Sequence, residues 1–260
     1  MVCFVDESAC ERIWREGPEG RAAAWVREKP GLEPDAQQAR VLEPESKRVL
    51  LNCTRQWGKS TITAAKALHR AWHAPGSLTL VVSPSARQSA EFVRKAAGFV
   101  RRLGERVQGD GDNEMSLALP NGSRMVGLPG TEATVRGFSA VSLLLVDEAA
   151  RVEDELYQAV RPMLAVSDGT LWLMSTPNGQ RGFFWEAWAH GGPEWERVRV
   201  PAEECPRIKR EFLEEERRVL DARRYGQEYG CEFGDAEDAV FDRELIERAI
   251  TDEFEPLRFA

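Results

Sequence analysis

Four apolar runs constrain this chain more than anything else in it. "KRVLLNC" (47–53), "LTLVVSP" (78–84), "VSLLLVDEAA" (141–150) and "TLWLMSTP" (170–177) read as buried strands. Segments of helical character stand between them: "STITAAKALHRAWH" (60–73), "SARQSAEFVRKAAGFVRRLGERV" (85–107) and "DELYQAVRPML" (154–164). Buried apolar strands alternating with helices require a mostly parallel sheet covered on both faces, so the fold class is α/β.

The rest of the chain fits round that frame. Residues 8–29 read as helix and "PGLEPDA" as a turn. "MSLALPNGSRMVGLP" (115–129) reads as a hairpin turning at Asn121-Gly122. "WERVRVP" gives one more strand, and "RIKREFLEEERRVLDARRYGQEYG" (207–230) one charged helix. The tail, "FGDAEDAVFDRELIERAI", reads as a connector with a short helix. No run approaches the roughly 18 apolar residues that a membrane span needs. The five cysteines are odd in number and form no C-x-x-C pair, which points to reduced thiols. The net charge of −8 excludes a wholly basic nucleic-acid coat. It leaves room for a local basic stripe: residues 87–106 hold six Arg/Lys and two Glu, either a solvated helix face or a phosphate-contacting one.

The chemistry gathers where the strands end. "CTRQWGKST" (53–61) follows a strand, opens a helix, and ends as a phosphate-binding loop ends. In such a loop, backbone N–H groups and the positive helix end form an anion cradle. Gly58 lets the backbone approach, Lys59 reaches the β and γ phosphates, and the Ser60 hydroxyl serves Mg²⁺. Thr61 is the next hydroxyl, most simply a helix residue. Cys53 stands where the usual pattern has its first glycine, and Arg55 lies inside the loop.

"LLLVDEAA" places Asp147 at the tip of an apolar strand, where a carboxylate can hold Mg²⁺; a helix N-cap is the structural alternative. Glu148 follows at once and can orient and deprotonate a water, which favours hydrolysis over phosphoryl transfer to a substrate. The run "LTLVVSP" is expected between the loop strand and the "VDEAA" strand. An extra strand there, with a glutamate after the second acid, points to the ASCE branch of P-loop ATPases, which drives motors and helicases. Ser175 and Thr176, at the end of "TLWLMSTP", are expected near the γ-phosphate.

"CTRQWGKST", "SPSARQSAEF", "TVRGFSAVSLLLVDEAA" and "LMSTPNGQRGFFWEAW", in this order, resemble the large terminase subunit of tailed bacteriophages and prophages, across roughly residues 36–242. The resemblance implies an ATP hydrolase that translocates double-stranded DNA into a procapsid. It implies ATP and Mg²⁺ as cofactors. The implied setting is a homo-oligomeric ring on the portal protein, with a small terminase subunit, in the bacterial host cytoplasm. An arginine in the loop and a missing first glycine are ordinary features of that family.

The implied roles run along the chain. Gln38 reads the adenine edge, with Gln37 as competitor. Arg55, Gln56, Gly58, Lys59, Ser60 and Thr61 bind nucleotide, with Ser60 and Asp147 at the metal. Glu148 is the catalytic base, and Ser175 and Thr176 couple hydrolysis to movement. Arg136 falls where some members carry an arginine finger that reaches a neighbouring subunit, and Arg55 acting in cis is the rival. The expected organisation is an N-terminal helical segment (1–35), an ATPase core (36–200) and a lid subdomain with linker (201–260). Members of this family carry a nuclease domain after the ATPase; this chain is expected to provide ATPase without nuclease. A helicase or DNA-repair ATPase of the same branch, and a catalytically silent assembly protein, are the other readings.

Overall fold

The structure is a computed structural model that describes residues 22–44, 46–106, 115–128 and 137–234. The part of the expected 8–29 helix before residue 22, Arg136 and the tail from 235 lie outside the described residues.

Two short helices, α1 (Ala22–Glu28) and α2 (Ala36–Leu42), precede the first strand, β1 (Arg48–Cys53). Then come α3 (Lys59–His73), β2 (Leu78–Val82), α4 (Ala86–Arg102) and the hairpin β3 (Ser116–Ala118)–β4 (Arg124–Leu128). β5 (Leu143–Asp147), α5 (Asp154–Val160), β6 (Thr170–Ser175), α6 (Gly182–His190) and β7 (Trp195–Val200) follow. Helices α7 (Arg210–Val219) and α8 (Ala222–Glu228) end the described chain.

The strands form one seven-stranded sheet in the order β3-β4-β2-β5-β6-β1-β7. Among the described residues only the β3–β4 pair is antiparallel. Side chains of a strand alternate between faces, and the two apolar clusters divide along that alternation. Leu51, Leu145, Trp172 and Met174 point into a core roofed by α1–α4. Leu50, Leu144, Val146, Leu171 and Leu173 point into a second core closed by α5 and α6. The expected parallel sheet covered on both faces is what forms. No helix among the described residues is long and apolar enough to cross a membrane.

Local chemistry sets the element ends. Asp35 caps α2: its carboxylate accepts from Gln38 N (2.8 Å), and Gln38 Oε1 accepts from Asp35 N (3.2 Å), a reciprocal capping box. In β4, Gly127 lies so close to Ser89 of α4 that an added Cβ would sit 3.1 Å from it. The contact is held by Ser89 Oγ, which donates to Leu128 O at 2.6 Å.

Two details differ from expectation. The strand inserted between β1 and β5 is β6, and "LTLVVSP" (β2) lies on the far side of β5. The extra-strand criterion is met, by the strand carrying Ser175. Residues 207–230 form two helices, because Asp221 accepts from Arg224 N (2.8 Å) and starts a new helix there. The aromatic segment "GFFWEAWAH" is α6, which buries Phe184 and stacks Phe183 on Tyr157 with centroids 4.0 Å apart.

Candidate active site

The register of the three central strands builds the site. Asn52 pairs with Ser175, and Asp147 with Met174, so the carboxyl ends of β5, β6 and β1 lie side by side. Open parallel sheets bind ligands at such ends. The loop from Cys53 turns into α3 through Gly58, whose φ of +89° is open to glycine. An added Cβ there would also meet Gln38 Nε2 at 3.2 Å. Helix α3 starts at Lys59; Thr61 N and Ile62 N donate to Gly58 O at 3.0 Å each, and the amides of Lys59 and Ser60 stand ahead of these bonds, where a helix end can bind an anion.

Four expected residues converge at this helix start. Lys59 Nζ lies 2.7 Å from Glu148 Oε1, and both side chains are largely buried. Ser60 Oγ donates to Asp147 Oδ2 at 2.9 Å. Glu148 N donates to Asp147 Oδ1 at 3.1 Å, which orients the aspartate from its other side. Asp147 is not a helix N-cap: the short 3₁₀ turn that follows has Glu148 in that position. Burial pushes the Asp147 carboxyl up, and the neighbouring Glu148 adds to that, while Lys59 and the Ser60 hydroxyl pull it down. Glu148 itself has φ +53°, left-handed backbone that a glutamate adopts at a cost.

Ser60 and Asp147 suit Mg²⁺. That ion prefers hard oxygen ligands, keeps several waters, and is held by one or two carboxylates with substrate phosphates. A hydroxyl and a carboxylate already in contact at the start of α3 are such a set. Among the described residues no group of three or more His, Cys, Asp or Glu forms a metal cluster, so a fully protein-caged metal does not fit there.

The other expected residues occupy the rim and the floor. Gln38 is buried beside the loop, with Nε2 donating to Trp57 O at 2.9 Å. Its amide retains one donor and one acceptor position. Gln37 instead donates to Glu204 at 2.7 Å. Gln56 is exposed at φ +62°, and Thr61 is partly buried in the first turn of α3. Ser175 and Thr176 are buried, and their hydroxyls donate to backbone: Ser175 Oγ to Thr176 O (2.7 Å), Thr176 Oγ1 to Cys53 O (3.1 Å). The end of β6 is thereby tied to the start of the loop. Cys53 is fully buried, and burial holds its thiol well above its usual value. Cys53, Cys205 and Cys231 are all free.

Arg55 is half-exposed and ion-paired with Glu228 at the end of α8. Glu228 O also accepts from Thr54 Oγ1 (3.1 Å), so α8 docks on the loop. Arg136 lies outside the described residues.

Sequence reasoning missed three residues. Arg207 reaches Asp35 (2.9 Å) and Trp57 O and sits beside Gln38. Glu228 meets Arg55, and Arg151 meets Glu148. The first two are remote in sequence from what they touch and leave no local signal. Arg151 left one: it stands three residues after Glu148, the spacing of one tight turn.

Comparison with known proteins bears on the whole arrangement. A family model described as terminase large subunit, T4likevirus-type, N-terminal, matches residues 50–248. The large terminase subunit of Thermus phage G20c is 25% identical over 247 residues, covering 81% of this chain and 51% of the relative. The chain thus spans about half the length of the curated relatives it matches. Among solved structures, the large terminase ATPase domain of Thermus phage P74-26 superposes with a TM-score of 0.72 at 24% identity, covering 82% of this chain and 99% of that one. The large terminase of the thermophilic bacteriophage D6E, in complex with ADP, gives 0.63 at 11% identity over 83% and 52%. These likenesses establish the fold, that of large-terminase ATPase domains. With the family match spanning most of its length, the chain belongs to the T4likevirus-type terminase large subunits and carries their N-terminal region.

Proposed function

We propose that this chain is the ATP-hydrolysing motor domain of a phage DNA-packaging machine. The observation that carries the reading is the convergence of Lys59, Ser60, Asp147 and Glu148 in one hydrogen-bonded cluster at the start of α3. The amides of Lys59 and Ser60 at that helix end, with the Lys59 side chain, bind the phosphates of ATP. Gln38 uses its spare amide positions on the adenine edge. Ser60 and Asp147 would hold Mg²⁺, which when bound neutralises charge developing on the β and γ phosphates. Lys59 leaves Glu148 for the phosphates, and Glu148 then accepts the proton of the attacking water. The product is ADP and phosphate.

The bond from Thr176 to Cys53 O offers a mechanical path from the loop to β6. The docking of Glu228 on the loop gives the 201–234 segment a reason to follow the nucleotide state, as a lid would. An arginine finger completes the site: Arg136 from a neighbouring subunit, or Arg55 in cis after release from Glu228. The partners we assign are double-stranded DNA, other copies of the chain in a ring, the portal protein and the small terminase subunit. The setting is the bacterial host cytoplasm, with the ring transiently on the procapsid.

Titration with ATP in the presence and absence of Mg²⁺ tests the site. Lys59→Ala removes a charge-assisted contact of about 1.5–3 kcal/mol, so affinity should fall about tenfold or more. Unchanged affinity would rule out the phosphate assignment. Mixing Arg136→Ala with Glu148→Gln subunits tests the finger. Recovered turnover in the mixture supports Arg136 in trans; no recovery, together with specific activity independent of protein concentration, leaves Arg55 in cis.

A further inference from the structure

Glu148 is held by two cations, and the proposed mechanism uses only one of them. Lys59 takes Oε1. Arg151 takes Oε2 through Nη1 at 3.3 Å, and the same nitrogen lies 3.4 Å from Thr176 O. The turn that brings Arg151 there is tight: Arg151 N donates to Glu148 O at 2.8 Å across the 3₁₀ turn Ala149–Arg151. That turn begins at the left-handed Glu148. Arg151 keeps only 29% of its side-chain surface exposed, so it is a fixed part of the wall.

We infer that Arg151 is a positioning residue for the base, fixing the direction of the Glu148 carboxylate and anchoring it to the end of β6. The inference rests on the reading of Glu148 as base. Its logic is a change of partners. Once Lys59 turns to the phosphates, a carboxylate held only by Lys59 would be free to swing. Arg151 is the cation that stays. It contacts the oxygen that Lys59 does not, so it restrains Oε2 and leaves Oε1 for the water. Its second contact, Thr176 O, belongs to the residue whose hydroxyl bonds Cys53 O. The base is therefore referenced to the loop through β6 as well as through its own strand. Catalytic contacts of this length commonly tighten when substrate is bound.

Misplacing a reacting group by about 1 Å costs on the order of 10²-fold. Arg151→Met should lower single-turnover kcat about ten- to hundredfold, with the KM for ATP within about twofold of wild type. Arg151→Lys keeps a cation without the planar fork and should recover part of the loss. The decisive arm is the double variant. Residues acting as a unit are non-additive, so Arg151→Met should have no further effect in a Glu148→Gln background. Wild-type kcat in Arg151→Met would overturn the inference. So would a loss carried by KM, or the same fold-loss in both backgrounds. If Glu148→Gln alone turns over at the wild-type rate, the reading of the base fails instead, a distinguishable outcome. Should Arg151→Met fold poorly, Arg151→Lys carries the same comparison, with thermal unfolding as the control.

Discussion

The Lys59–Glu148 pair makes a prediction that opposes stability to affinity. The two charges lie 2.7 Å apart in a largely buried setting. At an effective dielectric near 20 their gross attraction is about 6 kcal/mol. Desolvation of both groups cancels much of it, and a hydrogen bond to a charged group nets about 1.5–3 kcal/mol. Glu148→Gln keeps the shape and one acceptor oxygen for Lys59 but removes the charge. The nucleotide-free protein should lose about 1–2 kcal/mol. For a domain of this size, that lowers Tm by about 2–8 °C. The same substitution removes the competitor that holds Lys59 away from the phosphates, so ATP affinity should hold or rise. The assay is thermal unfolding of the apo protein beside ATP titration, for wild type, Glu148→Gln, Lys59→Met and the double variant. A coupling of about 1 kcal/mol or more is expected between the two sites. Additivity within about 0.5 kcal/mol, or weaker ATP binding by Glu148→Gln, would refute the claim that this pair is what ATP must displace.

Further consequences concern the rest of the cluster. Asp147 has its carboxyl raised by burial, so ionising it costs the folded state. That cost is absent at low pH, sets in as pH rises above the ordinary aspartate value, and is complete above the folded-state pKa. Asp147→Asn should therefore raise the apo Tm near pH 7.5 and lose that advantage below about pH 4, while abolishing stabilisation by Mg²⁺ with nucleotide; melting curves at both pH values check this. Gly58→Ala places a Cβ at φ +89° and 3.2 Å from Gln38 Nε2; it should cost about 1 kcal/mol or more, read as a lower Tm, and weaken ATP binding. Phe184→Ala empties a fully buried position under α6 and should cost about 3–5 kcal/mol by chemical denaturation, with no site residue touched.

Much of this was legible from strand ends. A parallel strand buried on both faces announces itself as an unbroken apolar run, and its last residue must face the ligand edge. Gly58-Lys59-Ser60 and Asp147-Glu148 could therefore be placed before any coordinates. Strand order was not legible. Nothing in "LTLVVSP" or "TLWLMSTP" says which one neighbours β1, because both are uniformly apolar and sheet neighbours are set by crossover packing. The break at Asp221 had a local signal, a capping aspartate, hidden within a highly charged helical pattern. Arg207 and Glu228 are ordinary surface residues in sequence, and only the docking of the chain after β7 onto the loop brings them to Trp57 O and Arg55.

The central claim is that this cluster hydrolyses ATP with Glu148 as the base. Single-turnover release of labelled phosphate, under conditions where wild type and Glu148→Gln are both saturated with ATP and Mg²⁺, tests it most directly. The account predicts about 10²–10⁴-fold slower release for Glu148→Gln, with nucleotide occupancy unchanged. Equal release rates at equal occupancy would contradict it.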